Sequence, residues 1–319
     1  MSLSTPVLSV LMGDVECGCP SITLSLPLDL HGVDLDDFVS LASVTPTGDG
    51  CVFGVSRTVC DNMIITGGVT LSLRDGPEGE REVVCEAVEC PIPHYPSDQG
   101  NFTQAHYIGN GKVAVVSGES VYILTLDSRE WEVQSGVLPR DTVGDMMASC
   151  ALENKIILST FQEYPSPLLW EYDVSTRTLS PLPSPPTEVD VTDMQSAIMC
   201  EGRVHFMYGN KHTVYTPETC QSHTHGWEVL PALETYNHTV DIALMGRHIV
   251  YPDYCNCIAT WDSLTGAHHS TEIPAEDADI YHANCCHLVP ICGDEALLVI
   301  EQDDDEKVVH LVTLEEQSE

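Results

Sequence analysis

Gln104–Pro139 reads QAHYIGNGKVAVVSGESVYILTLDSREWEVQSGVLP and contains four short apolar runs separated by turn residues. The runs are Ala105–Ile108, Lys112–Val116, Val121–Leu126 and Trp131–Val133. Gly109-Asn110-Gly111, between the first two runs, is typical of a tight hairpin because these residues adopt positive φ at little cost. Four strands within 36 residues leave no room for a helix, so the stretch predicts one small antiparallel sheet. Such a sheet alone would expose both faces to water, so it needs neighbours of the same kind.

The first turn and the strand after it recur along the chain at a nearly constant period. Second strands are predicted to begin at Cys51, Lys112, Lys155, Arg203, Arg247 and Glu295. Successive starts are 61, 43, 48, 44 and 48 residues apart, and periods near 45 are typical of propeller blades. The longer first interval indicates an insertion in the first blade, around Thr58–Gly68.

A second motif, the turn after the third strand, also recurs. It occurs at Tyr172–Thr176, Tyr215–Thr219 and Trp261–Thr265. The pattern resembles kelch repeats, in which a Gly-Gly pair closes the second strand, an aromatic-Asp-Pro-x-Thr turn follows the third, and a Trp opens the fourth. Gly67-Gly68 is the one full double glycine, late in its blade, and the terminal Trp is present at Trp131 and Trp227. The resemblance covers roughly residues 37–319 and implies a kelch-type β-propeller, a fold that does not by itself define an activity.

We therefore predict an all-β, six-bladed kelch-type β-propeller, with seven blades as the alternative. The predicted blades span about residues 37–95, 103–140, 146–184, 194–233, 238–275 and 281–315. The last blade lacks an outer strand, so residues 1–36 are expected to close the ring and remove an open edge. Two runs are available for this role, Pro6–Leu11 and Ile22–Leu28, and the second is favoured because it resembles the other outer strands.

The composition limits the expected partners and location. A formal net charge of −37, from 49 acidic and 12 basic residues, disfavours binding to nucleic acid or to anionic membranes. This net charge is compatible with binding a basic protein or peptide, with binding a cation, or with a role in solubility alone. Met1–Leu11 lacks the features of a secretory signal, and no stretch of 18 apolar residues occurs, so we expect a cytoplasmic or nuclear protein with reduced thiols.

Two groups of residues could suggest zinc ligands: Cys255-Asn256-Cys257 and Cys285-Cys286-His287. Paired zinc ligands are usually separated by two residues, and adjacent strand residues point to opposite faces, so core thiols are the favoured interpretation. No metal or cofactor is expected. Kelch-type propellers include copper radical oxidases and sugar epimerases, but Tyr254 beside Cys255 is not the dispersed set of ligands that the copper enzymes need.

Strand alternation predicts where binding residues lie. Connections between the second and third strands, and connections between blades, emerge at the same end of a propeller. These connections contain the carboxylates Asp141, Asp145, Glu188, Asp190, Asp193, Glu234, Glu276, Asp277, Asp279, Asp303, Asp304 and Asp305, with Arg140 and Lys211 as the nearby cations. The hypothesis is a non-catalytic protein-protein interaction module that binds a basic protein or peptide through this face. A generally acidic surface without a particular partner is the other interpretation.

The predicted partner-binding residues are Glu163, Tyr164, Asn210, His212, Asp253, Tyr254, Asp303, Asp304, Asp190, Asp193, Asp277 and Asp279. The alternative function is a propeller enzyme, epimerase-like or oxidase-like, that acts on a sugar or another small molecule at the mouth of the channel. The sequence pairs no nucleophile with a base at a recognisable spacing, so no catalytic residue is assigned.

Overall fold

The computed structural model describes residues 7–8, 21–25, 41–48, 51–60, 63–75, 81–93, 95–96, 103–138, 146–160, 169–183, 196–208, 211–218, 226–230, 242–253, 256–273, 285–301 and 307–315. Every regular element in these ranges is a β-strand, and the strands form six antiparallel sheets. No helix in this part of the chain is long and apolar enough to cross a membrane.

Each sheet is one blade, and its strands lie side by side in chain order. The N-terminal strands are β1 (Val7–Leu8) and β2 (Ser21–Ser25). Blade 1 contains β3 (Leu41–Gly48), β4 (Cys51–Cys60), β5 (Met63–Asp75) and β6 (Arg81–Val88), with β7 (Tyr95–Pro96) paired to β5. Blade 2 contains β8 (Thr103–Tyr107), β9 (Lys112–Ser117), β10 (Ser120–Thr125) and β11 (Glu130–Gln134). Blade 3 contains β12 (Met146–Leu152), β13 (Lys155–Thr160), β14 (Leu169–Asp173) and β15 (Thr178–Pro181). Blade 4 contains β16 (Ser196–Cys200), β17 (Arg203–Tyr208), β18 (Lys211–Thr216) and β19 (Gly226–Val229). Blade 5 contains β20 (Ala243–Met245), β21 (His248–Asp253), β22 (Cys257–Asp262) and β23 (His268–Glu272). Blade 6 contains β24 (Cys285–Cys292), β25 (Glu295–Glu301) and β26 (Lys307–Glu315), followed in the sheet by β2 and β1.

The six sheets form a closed ring. The first strand of each blade contacts the first strands of both neighbouring blades, and β24 of blade 6 contacts β3 of blade 1. A cluster of buried apolar side chains lies between each pair of neighbouring blades, which we call a seam. Six clusters for six seams show that each blade buries both of its faces against its neighbours, which confirms the six-bladed propeller.

Burial on both faces explains why the strands read as continuous apolar runs. On β9, Val113 and Val115 pack in the seam with blade 1, whereas Ala114 and Val116 pack in the seam with blade 3. Alternate residues of one strand therefore serve two different seams, because successive side chains point to opposite faces of a sheet.

The N-terminal strand closes the ring as the favoured prediction states. Strand β2 pairs with β26, with Ser21 opposite Glu315 and Leu24 opposite Val312. The side chain of Ile22 is buried in the seam between blades 5 and 6. The other N-terminal run contributes β1, which pairs with β2 as a fifth strand, so both runs belong to blade 6 in the part of the chain that the structure describes.

The predicted strand starts agree with the structure, and the insertion has a simple form. Five of the six second strands begin at the predicted residue, and β21 begins at His248, one residue after Arg247. In blade 1, β4 and β5 continue their pairing to Cys60 opposite Met63, so the inserted residues lengthen one hairpin.

The double glycine lies within β5 rather than at the end of a second strand. A Cβ atom added to Gly68 would lie 3.0 Å from the backbone carbonyl oxygen of Val88 on β6. Glycine is therefore required here for close approach between neighbouring strands. At Gly67 the nearest atom to an added Cβ is the Ser56 hydroxyl oxygen, at 2.8 Å.

The recurring turn after the third strand is stabilised by its aspartate. Asp173 Oδ1 accepts hydrogen bonds from the backbone N–H groups of Ser175 and Thr176, both at 2.9 Å. Asp262 Oδ1 does the same for the two residues at the equivalent positions of blade 5. The motif seen in the sequence is thus an Asx turn, in which a side-chain carboxylate replaces a backbone acceptor.

Candidate protein-binding face

The two ends of the propeller carry different connections. We call the end with the turns between first and second strands, and between third and fourth strands, the hairpin face. The opposite end, where second strands lead to third strands and one blade leads to the next, is the loop face. The predicted binding residues belong to connections of the loop face or to the strand ends beside them.

Most of the predicted partner-binding residues lie outside the described residues. These are Glu163, Tyr164, Asp190, Asp193, Asn210, Tyr254, Asp277, Asp279, Asp303 and Asp304. Asp253 is the last residue of β21, where it pairs with Cys257 at the loop-face end of blade 5. For these ten residues and for Asp253, the partner-binding role stays a prediction.

His212 is the second described member, and its side chain is only 1% exposed. It lies on β18 opposite Met207, and its Nε2 atom is 3.0 Å from Nδ1 of His205 on β17. Both imidazoles pack against the indole of Trp261 in blade 5, with ring centroids 5.1 Å and 4.8 Å away. His212 is therefore buried in the seam between blades 4 and 5 and does not lie on the loop face.

Basic residues are concentrated at the hairpin face. Eight of the 12 Lys and Arg residues lie in or beside its turns: Arg74, Arg81, Lys112, Arg129, Lys155, Arg177, Arg203 and Arg247. Arg57, Lys211 and Lys307 lie in strand segments next to connections of the loop face, and Arg140 lies outside the described residues. The sequence therefore places two thirds of its positive charge at the end opposite the predicted binding face.

Several of the hairpin-face cations are paired with carboxylates. Lys155 Nζ lies 2.6 Å from Glu171 Oε1, and Arg177 of blade 3 lies 2.9 Å from Glu132 of blade 2. The hydrogen bond from Gln134 and the charge of Arg177 lower the pKa of Glu132. Ion pairs as exposed as these stabilise the fold little, since water and salt screen them, but they neutralise the local charge.

Asp262 connects the hairpin face to the interior of blade 5. Its Oδ2 atom lies 3.0 Å from Arg247 Nε and 3.4 Å from His248 Nε2. Partial burial raises the pKa of Asp262, but the backbone hydrogen bonds of its Asx turn and the Arg247 guanidinium outweigh that effect and lower the pKa overall. The carboxylate thus stays ionised and fixes the turn that follows β22.

Polar side chains also satisfy the inner edges of the first strands. The backbone N–H groups of Ala105 and Tyr107 on β8 each donate a 2.9 Å hydrogen bond, to the hydroxyls of Ser43 and Thr45 on β3. The backbone N–H of Ser149 on β12 donates in the same way to Gln104 Oε1. Hydroxyl and amide groups of one blade therefore complete the edge of the next blade around the axis.

The side chains of Ser149 and His106 are in contact at this inner wall. The direction of their hydrogen bond decides whether the histidine could act as a base for the serine, as the enzyme alternative would need. The Ser149 hydroxyl lies 2.6 Å from both Gln104 Oε1 and His106 Nε2. Gln104 Oε1 is an acceptor, so it takes the one hydroxyl proton, and the imidazole N–H must donate to the hydroxyl oxygen. A general base would have to accept that proton instead. Burial also lowers the pKa of His106 to about 4, so the group is a neutral structural contact.

One described crevice and the distribution of potential metal ligands bear on the enzyme alternative. A narrow crevice between blades 1 and 6, lined by Val52, Leu71, Val289 and other mostly apolar side chains, has no room for a water molecule. No three His, Cys, Asp or Glu side chains within the described ranges lie close enough together to hold a metal ion.

Comparison with known proteins supports the fold alone. No protein-family model matches the chain, and no curated protein matches its sequence. Among solved structures, the chain is similar to a structural-genomics protein of unknown function from Bacteroides thetaiotaomicron, with a TM-score of 0.54 and 10% sequence identity. The alignment covers 98% of this chain and 73% of that protein. At this identity the likeness concerns the fold alone and carries no function.

Proposed function

We propose that the protein is a non-catalytic binding module that recruits a basic protein segment through its loop face. The observation that carries the proposal is the segregation of charge between the two faces. Two thirds of the cations lie at the hairpin face, while the connections of the loop face contain acidic runs such as Asp303–Asp305. An uncompensated acidic surface attracts cationic segments over about a Debye length, roughly 10 Å at 0.1 M salt.

Kelch-type ancestry of the blades is a second element of this proposal. Two features recur where the resemblance predicts them: the Asx turn after the third strand and the Trp of the fourth strand. Trp131 donates its indole N–H to the Glu89 carbonyl of the preceding blade, and Trp227 donates to the Pro183 carbonyl in the same way. These contacts support a repeat that keeps its structural residues while its glycine pair is reduced.

The test uses a synthetic peptide rich in lysine and arginine, with binding measured by isothermal titration calorimetry at several salt concentrations. Affinity should fall steeply between about 0.05 and 0.5 M salt, because the attraction acts between partly exposed charges. The double variant Asp303→Asn/Asp304→Asn should weaken binding further at low salt.

A matched control removes two charges from the other end of the propeller. Asp127 and Glu130 are exposed residues beside a hairpin-face turn of blade 2, and Asp127→Asn/Glu130→Gln changes the net charge by the same amount. The control should bind the peptide nearly as well as the unmodified protein. Equal losses in both double variants would mean that a diffuse acidic surface binds the peptide, and affinity that is indifferent to salt would reject the electrostatic face.

A further inference from the structure

Among the seams as far as they are described, the one between blades 4 and 5 is distinguished by two histidines in direct contact. His205 is 0% exposed and His212 is 1% exposed. They lie on neighbouring strands of blade 4 and face blade 5, where Trp261 covers both rings. Two buried imidazoles joined by one hydrogen bond are both neutral, or share one positive charge; they cannot both be charged without breaking that bond.

The outer nitrogen of His212 shows why the pair resists an added proton. His212 Nδ1 is buried and makes no hydrogen bond in the described structure. Either ring can donate the proton that joins His212 Nε2 to His205 Nδ1, because each imidazole nitrogen donates or accepts according to the tautomer. When the pair gains a proton, both outer nitrogens carry N–H groups, and the described structure gives the one at His212 Nδ1 no acceptor, which costs free energy.

The surroundings of the pair disfavour positive charge. On the same face of blade 4, Arg203 is 8% exposed and donates a hydrogen bond of 2.8 Å from Nη2 to the Ser263 carbonyl of blade 5. Burial first, and the Arg203 charge second, lower the pKa of His212 to about 4.

None of the described residues of blade 5 that face the pair supplies a negative charge. From β21 and β22 these residues are Ile249, Tyr251, Ala259 and Trp261, and the Tyr251 hydroxyl is hydrogen-bonded to His268. The neighbouring Asp262 carboxylate is engaged by its own turn, by Arg247 and by His248. Cys200 of β16 contacts the Arg247 carbonyl, and burial raises the pKa of its thiol, so this group is also neutral.

We propose that the His205–His212 pair is a proton-operated latch, so that acidification opens the seam between blades 4 and 5 before the other described seams. Opening exposes both imidazoles to water, where each binds a proton with an ordinary pKa of about 6.5. The closed seam is therefore fully stable above about pH 6.5 and loses stability as the pH falls toward 4. An opening that takes up two protons becomes more favourable by up to about 100-fold per pH unit, compared with about tenfold for one proton.

Hydrogen exchange measured by mass spectrometry on the unmodified protein between pH 7 and pH 4.5, corrected for the intrinsic exchange rates, tests the order of opening. Amides of β17, β18, β21 and β22 should lose protection at higher pH and more steeply than amides of β9 and β10. The seam between blades 2 and 3 is an internal reference because it contains one buried histidine, His106. Simultaneous loss of protection in all six blades would overturn the proposal.

Two variants test the residues. His205→Phe/His212→Phe keeps two aromatic rings but cannot take up protons, so the steep pH dependence of these four strands should disappear. If this variant does not reach the native circular dichroism spectrum, His212→Asn serves instead, because the amide can donate to or accept from His205 while one titrating group is removed. The slope should then fall from up to about 100-fold to about tenfold per pH unit. An unchanged slope in the folded variant would contradict the latch.

Discussion

Blade 5 takes part in two seams that are built differently. Toward blade 6 it joins the largest described cluster, with 13 buried apolar residues that include two from the closing strand β2. Toward blade 4 the cluster has five buried apolar residues, and the remaining space is occupied by His205, His212 and Arg203. One sheet thus meets a large apolar cluster on one face, with His248 and His310 buried beside it, and a small cluster with a histidine pair and an arginine on the other.

The two seams are stabilised by different kinds of interaction. Apolar packing stabilises each contact in proportion to the area removed from water, without a requirement for direction. Buried polar groups stabilise a seam only when their hydrogen bonds are made, and they lose that contribution when a partner changes its charge. The seam closed by the N-terminal strand is therefore expected to depend most on apolar packing, and the seam between blades 4 and 5 most on its hydrogen bonds.

The largest expected effect comes from a cavity in the apolar seam. Leu298→Ala removes a side chain of blade 6 that is 0% exposed and should lower the free energy of unfolding by about 2–5 kcal/mol, measured by urea denaturation. Leu264→Ala, at a position 60% exposed, is the control and should change it by less than about 0.5 kcal/mol. A loss below about 1 kcal/mol for Leu298→Ala would mean that this seam collapses around the cavity.

A second expected effect is loss of stability in acid. Burial lowers the pKa of His212 to about 4, so the unfolded chain binds more protons than the folded protein between about pH 6.5 and 4, and stability falls as the pH decreases. Between pH 7 and pH 5 this histidine should account for about 2 kcal/mol of lost unfolding free energy. Urea denaturation of His212→Phe at both values should show a smaller loss by that amount. Identical pH dependence in the two proteins would show that His212 is not the sensitive group.

A third experiment asks whether close backbone contact matters as much as side-chain chemistry. Gly68→Ala would place a Cβ atom 3.0 Å from the Val88 carbonyl and 3.3 Å from the Phe53 ring, beside the seam between blades 1 and 2. Because a backbone atom cannot move aside cheaply, we expect a loss of about 1–3 kcal/mol in urea denaturation.

The neighbouring glycine is the matched control for this substitution. At Gly67 the obstructing atom is a serine hydroxyl, which can rotate away, so Gly67→Ala should cost clearly less than Gly68→Ala. A reversed order of the two variants would show that strand spacing at β6 is adjustable and that the glycine pair has no packing role.

Much of the architecture is predictable from the sequence because it depends on local signals repeated six times. Turn glycines and asparagines, together with the period of 43 to 48 residues, identify five second-strand starts to the residue. The long hairpin of blade 1 is less accessible, since an interval of 61 residues shows that residues are inserted but not that they extend β4 and β5 in register.

The contact between His205 and His212 was not predicted, because it depends on strand register rather than on composition. The turn residues before Lys211 suggest a surface position for His212, and the sequence therefore assigns it to the binding loops. The pairing of Tyr208 with Lys211 instead places His212 opposite Met207, on the face that meets blade 5. Counting alternate residues outward from that turn also brings His205 to the same face, so the signal was present in the spacing of seven residues.

The smallest expected effect concerns a hydrogen bond that joins blades at the outer rim. Trp131→Phe removes the indole N–H that donates to the Glu89 carbonyl, 2.8 Å away, while retaining an aromatic ring that can contact Phe53. A single hydrogen bond of this kind contributes about 1 kcal/mol, and urea denaturation should show a loss of that size. Trp170→Phe is the control, since the buried Nε1 atom of Trp170 makes no hydrogen bond in the described structure and its removal relieves an unpaired donor. If the two substitutions cost the same, the indole contact of Trp131 stabilises the ring only by packing, and the hydrogen bond at the outer rim contributes nothing measurable.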